Sequence, residues 1–255
     1  MRRFFYDILA SFTLLTRLPL WRLYNIPEDS FRRTVNGWTL VGWLTGALTG
    51  GILWLCAQVL PIQAAVIMAF AARVLLTGGL HEDGLGDVFD GFGGGRNKEK
   101  VLEIMKDSRT GSYGVIGLVL YFILLFALVA FLPVPAESLA LLAGTADPLC
   151  KLTASQIVNV LPYARKSSES KTGTVYSRMS LPVWLFSAAA GVLPAILWMP
   201  AVLWPASIMP ILTSVGLFLY FKRKIGGYTG DCCGAAFLLS ELSFYFGVWI
   251  VLALR

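Results

Sequence analysis

Charge is scarce in this 255-residue chain. Only 14% of its residues are charged, whereas soluble domains carry about 25%. This deficit, with 56% hydrophobic residues, excludes an ordinary soluble domain. The chain also has a single histidine and only four cysteines, with no CxxC pair, so neither a zinc site nor a disulfide framework is indicated. The composition predicts an all-α, polytopic membrane protein with one domain over residues 1–255.

Long apolar runs are abundant by contrast. About 20 apolar residues suffice to cross a bilayer, and seven predicted spans approach that length. They are residues 38–60, 62–80, 115–132, 138–162, 181–200, 205–221 and 235–254. The preceding residues 1–35 combine arginines with apolar positions at helical spacing. This pattern predicts an N-terminal helix that lies at the membrane interface.

The basic residues predict how these spans are oriented. With the N-terminus inside, residues 1–37, 81–114, 163–180 and 222–234 hold six, five, four and three basic residues, or 18 of the 21. Because cytoplasmic loops are enriched in Lys and Arg, all four segments are predicted to be cytoplasmic. The net charge of +6 then reflects topology, and no nucleic-acid partner is expected. Three of these segments, 81–114, 163–180 and 222–234, are polar loops between spans, and on one side of the membrane they could form a composite site.

The most polar of these segments is residues 77–114, which holds the only histidine and seven of the fifteen acidic residues. Asp83, Asp87 and Asp90 follow i, i+4, i+7 spacing, so on a helix they project within roughly 60° of one another. Carboxylates this close repel unless a cation lies among them. Hard divalent cations prefer such oxygen ligands. The spacing predicts Mg²⁺ or Mn²⁺ with a phosphorylated substrate; a solvated acidic loop is the alternative.

Other polar residues complete the predicted site. His81 could be a general base, a hydrogen-bond donor to substrate or a metal ligand, and with Asp83 and Asp87 it forms the predicted catalytic set. Asp231, in the segment GGYTGD, could be a further metal ligand or a helix cap. Basic side chains suit phosphate oxygens, which assigns substrate phosphates to Lys106, Arg109 and Arg165. The alternative is that they are basic only because of topology.

Four charged residues lie within predicted spans: Arg73, Asp147, Lys151 and Glu241. Charges inside a membrane are usually paired or functional. Asp147 and Lys151 are four residues apart and can pair on one helix, while Arg73 and Glu241 are predicted to pair between two spans. We interpret these four as structural or pocket-lining residues.

The motifs also resemble a known family. GGLHEDGLGDVFDGFGG, MKDSRTGSYGV and GGYTGDCCGA occur in this order, with TRLPL and LPYAR as weaker matches. Over almost its whole length the chain resembles cobalamin synthases, the adenosylcobinamide-GDP ribazoletransferases. The resemblance implies a Mg²⁺-dependent enzyme of the bacterial inner membrane. Such an enzyme joins α-ribazole, or its 5′-phosphate, to adenosylcobinamide-GDP with release of GMP, in the last assembly step of vitamin B12. One residue differs from the family pattern, because this chain has Lys151 where relatives have an arginine in the fourth span.

Three other functions fit the sequence less well. CDP-alcohol phosphotransferases have an Ala-Arg where this chain has Gly84–Asp87, and prenyltransferases need a second aspartate-rich motif, where only Asp231 is found. A transporter would place polar groups at the membrane midplane and show internal repeats. This sequence shows no internal repeat, and most of its polar residues lie in the loops that are predicted to be cytoplasmic. The lipid bilayer and the two substrates are the predicted partners. The oligomeric state is open, a homo-oligomer included.

Overall fold

The computed structural model describes residues 2–165 and 176–254, and within these ranges every element is helical. Residues 166–175, part of the predicted polar segment 163–180, lie outside the described residues. The α-helices in chain order are α1 Arg2–Leu15, α2 Glu28–Phe31, α3 Trp38–Ala57, α4 Ile62–Thr77, α5 Leu80–Gly94, α6 Lys98–Ile104, α7 Ser112–Ala130, α8 Ala136–Ser155, α9 Ile157–Val160, α10 Leu181–Trp198, α11 Ile208–Ile225 and α12 Gly230–Ala253. This architecture confirms the predicted all-α membrane bundle.

Five helical segments of the described chain are long and apolar enough to cross a membrane: Thr34–Ala57, Ser112–Ala130, Leu181–Trp198, Ala201–Ile225 and Gly230–Ala253. The bent pair α4–α5 adds a sixth if it counts as one span. A helix occupies each of the seven predicted spans, but the count of seven is approximate. Helix α4 has only 16 residues, which is short for a helix that crosses a bilayer alone. Helix α8 is long enough, but it contains the charged residues Glu137, Asp147 and Lys151.

Helix α3 packs closely against α8 because glycines line its contact face. A Cβ atom at Gly46 would lie 2.8 Å from the carbonyl oxygen of Gly144, and one at Gly50 would lie 2.4 Å from that of Ala140. Small residues four apart let two membrane helices approach in this way. The contact buries Asp147 and Lys151 of α8 in the interior, where Lys151 Nζ lies 3.2 Å from Thr45 Oγ1 of α3.

The chain turns sharply between α4 and α5, whose axes form an angle of 90°. Gly78 and Gly79 both have φ of 72°, a left-handed conformation that glycine adopts without steric cost. Their backbone N–H groups both donate to Val74 O and so end α4. The turn directs α5 across the end of α12, and this crossing positions the candidate site.

Helix α12 is the central element, since it packs against α5, α7, α8 and α11. At the N-terminus, α1 forms as predicted and packs against the segment before α3. Its Asp7 is buried and accepts hydrogen bonds from Arg33 Nε at 3.0 Å and Asn36 Nδ2 at 3.2 Å. These hydrogen bonds keep the middle of α1 beside the segment that precedes α3.

Candidate functional site

A cavity of about 220 Å³ lies where several helix ends meet, and we call it the site cavity. It is lined by the end of α1, the starts of α3, α5 and α12, and the segments on both sides of residues 166–175. The lining residues are Leu14, Leu15, Trp38, Leu80, His81, Asp83, Tyr163, Arg165, Tyr176, Gly230, Asp231, Cys233 and Gly234. The structure therefore brings the three predicted polar segments together into one composite site.

Close contact between α5 and α12 places Asp83 and Asp231 in the same cavity. A Cβ atom at Gly84 would lie 3.0 Å from the backbone of Asp231, and one at Gly234 would lie 3.1 Å from the backbone of His81. Larger side chains at these two glycines would push the helices apart. Gly84 of α5 and Gly234 of α12 thus allow the two helices to pack closely.

The three aspartates on the predicted carboxylate face of α5 lie in different environments. The helix does extend from Leu80 to Gly94, so the i, i+4, i+7 spacing holds. Asp83 is exposed to the site cavity, Asp87 is half-buried one turn further, and Asp90 is buried.

Asp90 has a structural task that the spacing did not predict. Its two carboxylate oxygens accept hydrogen bonds from the backbone N–H groups of Gly111 and Gly114, each at 2.7 Å. The first N–H groups of a helix have no partner within the helix, and Asp90 supplies one for the start of α7. We therefore leave Asp90 outside the metal set that we propose below. Within residues 2–165 and 176–254, no three His, Cys, Asp or Glu side chains are grouped closely enough to hold a metal ion.

His81 lies in the wall of the site cavity but is only 4% exposed. Its ring contacts Phe237 of α12 edge-on, with the ring centres 5.0 Å apart. This contact fixes the imidazole beside Asp83 at the first turn of α5. The arrangement is compatible with each of the three predicted roles.

The three predicted phosphate-binding side chains lie in different surroundings. Arg165 lines the site cavity with only 3% of its side chain exposed; its Nη2 donates to Leu102 O at 3.3 Å and lies 3.9 Å from Asp231 Oδ2. Lys106 is exposed and lines an adjoining cavity of about 450 Å³, which Arg165 also borders. Arg165 thus borders both cavities, and the adjoining cavity is also lined by Lys98 and Lys106.

Arg109 is not among the residues that line the site cavity. Its side chain is 88% exposed and pairs with Asp107, with Nη2 and Oδ2 2.7 Å apart. Hydrogen bonds from the Arg109 side chain lower the pKa of Asp107 to about 2. The motif KDSRTG therefore forms a local ion pair at the surface, before α7 begins.

Two tyrosines join the second and third polar segments, and we had not singled them out. Ala164 N donates to Tyr228 O at 2.8 Å, and Tyr228 N donates to Pro162 O at 3.0 Å. The rings of Tyr163 and Tyr228 stack edge-on at 5.5 Å. Burial raises the pKa of Tyr228, so this phenol stays protonated. In the sequence, the tyrosine within the motif GGYTGD could have indicated this contact.

The four charged residues of the predicted spans pair as predicted, and the two pairs lie together in a buried charge cluster. Arg73 Nη1 and Glu241 Oε1 lie 2.5 Å apart, and Lys151 pairs with Asp147 on α8. Arg73 Nη1 also lies 3.9 Å from Asp147 Oδ2, and all four side chains are 1–2% exposed. The Lys151 ammonium lies 3.7 Å from the centre of the Phe237 ring. Phe237 therefore separates this cluster from His81.

Comparison with known proteins agrees with this arrangement of motifs. The family described as cobalamin-5-phosphate synthase matches residues 7–249. Proteins named adenosylcobinamide-GDP ribazoletransferase are similar over nearly their full length. The one from Shewanella baltica (strain OS185) is 36% identical over 251 residues, which cover 95% of this chain and 93% of the relative. The one from Shewanella oneidensis is 35% identical over 244 residues, which cover 92% and 90%. No solved structure matches. The chain belongs to the cobalamin-5-phosphate synthase family.

Proposed function

We propose that the protein joins α-ribazole, or its 5′-phosphate, to adenosylcobinamide-GDP and releases GMP. The observation that carries the proposal is the site cavity itself. It collects an acidic α5, Asp231 and Arg165, all from the motifs that the family match spans. Carboxylates together with a buried guanidinium suit a reaction at a diphosphate. The substrates are those in the printed names of the relatives.

The residues present fit a divalent metal. Mg²⁺ typically uses one or two carboxylates together with water and substrate phosphate oxygens, so it does not require a complete protein cage. Asp83 and Asp231 provide such carboxylates from two helices that meet at the cavity, and Asp87 lies one turn along α5 from Asp83. We propose that Asp83 and Asp231 bind Mg²⁺ directly and that Asp87 binds it through a water molecule, with Mn²⁺ as a substitute. When bound, the metal would neutralise negative charge on the diphosphate.

The chain's own residues supply the remaining functions. Arg165, buried and directed toward Asp231, holds a phosphate of one substrate. When α-ribazole 5′-phosphate is used, Lys106 in the adjoining cavity holds a phosphate of the other. Arg109 is assigned a smaller contribution because it is exposed and paired with Asp107. A ribose hydroxyl of the ribazole attacks the corrinoid-linked phosphorus, the bond from that phosphorus to the oxygen of GMP breaks, and GMP leaves. His81 takes the hydroxyl proton on an imidazole nitrogen.

The distribution of basic residues supports the location that we propose. The N-terminus and the site cavity lie on the cytoplasmic face of a bacterial inner membrane. The segments that meet at the cavity belong to the four predicted cytoplasmic stretches, which hold 18 of the 21 basic residues. This side also gives access to nucleotide-activated substrates.

Purified protein in detergent tests the proposal. With adenosylcobinamide-GDP, α-ribazole and Mg²⁺ or Mn²⁺, we expect GMP release that stops when a chelator is added. No GMP release with either metal would refute the proposed reaction. GMP release that is unchanged by the chelator would refute the metal assignment alone.

A further inference from the structure

At the start of α5, His81 and Asp83 line the site cavity, whereas Glu82 between them does not. His81 packs on Phe237, Glu82 is buried with 7% exposure, and Asp83 is exposed to the site cavity. Successive side chains on an α-helix differ in direction by about 100°. Because Asp83 faces the cavity, Glu82 must turn toward the interior of the bundle. A carboxyl group is rarely buried unless it is paired or has a function.

The interior that Glu82 enters is the buried charge cluster. Arg73 interacts electrostatically with Glu82 as well as with Glu241 and Asp147. Tyr121 of α7 also interacts electrostatically with Glu82 and with Arg73. Glu82 is therefore a fifth charged member of the cluster, and it is the one that belongs to the helix of the proposed site.

Polar atoms of this group remain without a hydrogen-bond partner among the described residues. They include Arg73 Nη2 and Glu82 Oε2, together with Asp147 Oδ2, Glu241 Oε2 and the hydroxyls of Tyr121 and Tyr245. Buried polar atoms normally find partners, so the attraction of the surrounding opposite charge has to compensate for their burial. For Glu82, the positive charge of Arg73 on α4 provides such an attraction, weaker than the one between Arg73 and Glu241. The burial of Glu82 is therefore better compensated when the start of α5 lies beside α4.

This restraint acts across the turn between α4 and α5. Arg73 lies on α4 and Glu82 on α5, on opposite sides of the 90° turn at Gly78 and Gly79. The turn directs α5 toward α12, and α5 packs against α12. The interaction of Glu82 with Arg73 adds a restraint between α5 and α4.

We propose that Glu82 is a positioning residue for the reaction. Its buried carboxyl group, attracted by Arg73 across the Gly78–Gly79 turn, holds the first turn of α5 so that His81 and Asp83 face the site cavity. The proposal rests on the proposed function for the role of Asp83, but the position of α5 can be measured separately.

The kinetic test uses the full chain in detergent. Glu82→Gln keeps the size of the side chain and removes its charge, and Glu82→Asp keeps the charge on a shorter side chain. Since small displacements of catalytic groups can cost up to about 100-fold in rate, we expect Glu82→Gln to lower kcat for GMP release about tenfold or more. The KM for adenosylcobinamide-GDP should stay within about threefold. Glu82→Asp should restore part of the lost kcat.

The matched control is Glu137→Gln, which removes an exposed acid at the start of α8, nearly three helical turns before Asp147. It should leave kcat and KM unchanged. An unchanged kcat in Glu82→Gln, or a rise in KM that accounts for the whole loss, would overturn the positioning role.

A second measurement does not depend on activity. Asp83→Cys places a thiol at the cavity, where its rate of labelling by a charged thiol reagent reports its accessibility. We expect the rate to change about threefold or more when Glu82→Gln is added and to stay the same when Glu137→Gln is added. Equal rates in all three chains would overturn the proposal. If wild-type protein releases no GMP, the proposed function fails, and the labelling rates still decide whether Glu82 positions α5.

Discussion

The buried charge cluster and the site cavity contain similar side chains on adjoining helices, yet they differ in how charge is balanced. In the cluster, Arg73 pairs with Glu241 and Lys151 with Asp147, at 1–2% exposure. In the site cavity, Asp83 is exposed, and Asp231 lies 3.9 Å from Arg165. Charges that balance one another in the interior hold helices together. Charges collected at helix ends are available to a charged substrate.

The largest expected effect separates the two regions by activity. Asp83→Asn keeps the shape of the side chain and removes the charge that we assign to the metal. We expect GMP release to fall about 1,000-fold, since metal assistance contributes several kcal/mol to such reactions. The melting temperature should stay close to that of the wild type.

Asp29→Asn is the control for this substitution. Asp29 is 61% exposed and pairs with Arg3 and Arg33, so its loss should leave GMP release unchanged. Near wild-type turnover in Asp83→Asn would show that the site cavity is assigned wrongly.

Breaking the buried cluster should act on stability instead. Glu241→Gln removes the partner 2.5 Å from Arg73 and leaves a buried cation. We expect a loss of about 3–5 kcal/mol in the free energy of unfolding, measured by thermal or denaturant unfolding in detergent. The exposed Glu137→Gln should leave the free energy of unfolding unchanged. If Glu241→Gln is as stable as the wild type, the pairing account is wrong.

Arg165→Lys sharpens the comparison inside the site cavity. Lysine keeps the charge but lacks the planar guanidinium that can hold a phosphate at two points. A hydrogen bond to a charged group contributes about 1.5–3 kcal/mol, so we expect KM for one substrate to rise about tenfold or more. The kcat should change less than KM. Steady-state kinetics with adenosylcobinamide-GDP and α-ribazole 5′-phosphate varied in turn identifies which substrate's phosphate Arg165 binds. If both KM values of Arg165→Lys equal those of the wild type, Arg165 does not bind a substrate phosphate.

The smallest expected effect concerns Arg109. It is 88% exposed and paired with Asp107, so Arg109→Ala should change kcat and KM less than about threefold. Because the pKa of Asp107 is lowered to about 2, the pair stays ionised until the pH falls toward that value. The effect of Arg109→Ala should therefore be constant from about pH 5 to 9. A large loss that grows with pH would indicate a direct substrate contact instead.

Helical spacing and charge balance predicted much of this arrangement. The i, i+4 spacing of Asp147 and Lys151 was enough to predict their pair, and two remaining opposite charges predicted the pair of Arg73 with Glu241. The convergence of three polar segments followed from the location of the basic residues. These are properties of single helices or of overall charge, which sequence displays directly.

Other features depended on contacts that sequence does not display. The spacing alone placed Asp90 with Asp83, because the backbone N–H groups of Gly111 and Gly114 that bind it belong to the start of another helix. Glu82 was left out of the predicted site because it points away from the carboxylate face of α5, and its buried surroundings depend on how α5 packs against other helices. Short contacts at Gly84 and Gly234 likewise appear only once α5 crosses α12.

The central claim is that the site cavity joins two substrates, and the mass of the corrinoid product tests it most directly. Wild-type protein should convert adenosylcobinamide-GDP and α-ribazole into one corrinoid that contains the ribazole and a single phosphate, with one GMP released per product. A corrinoid product without ribazole, or GMP released equally when α-ribazole is omitted, would contradict the account.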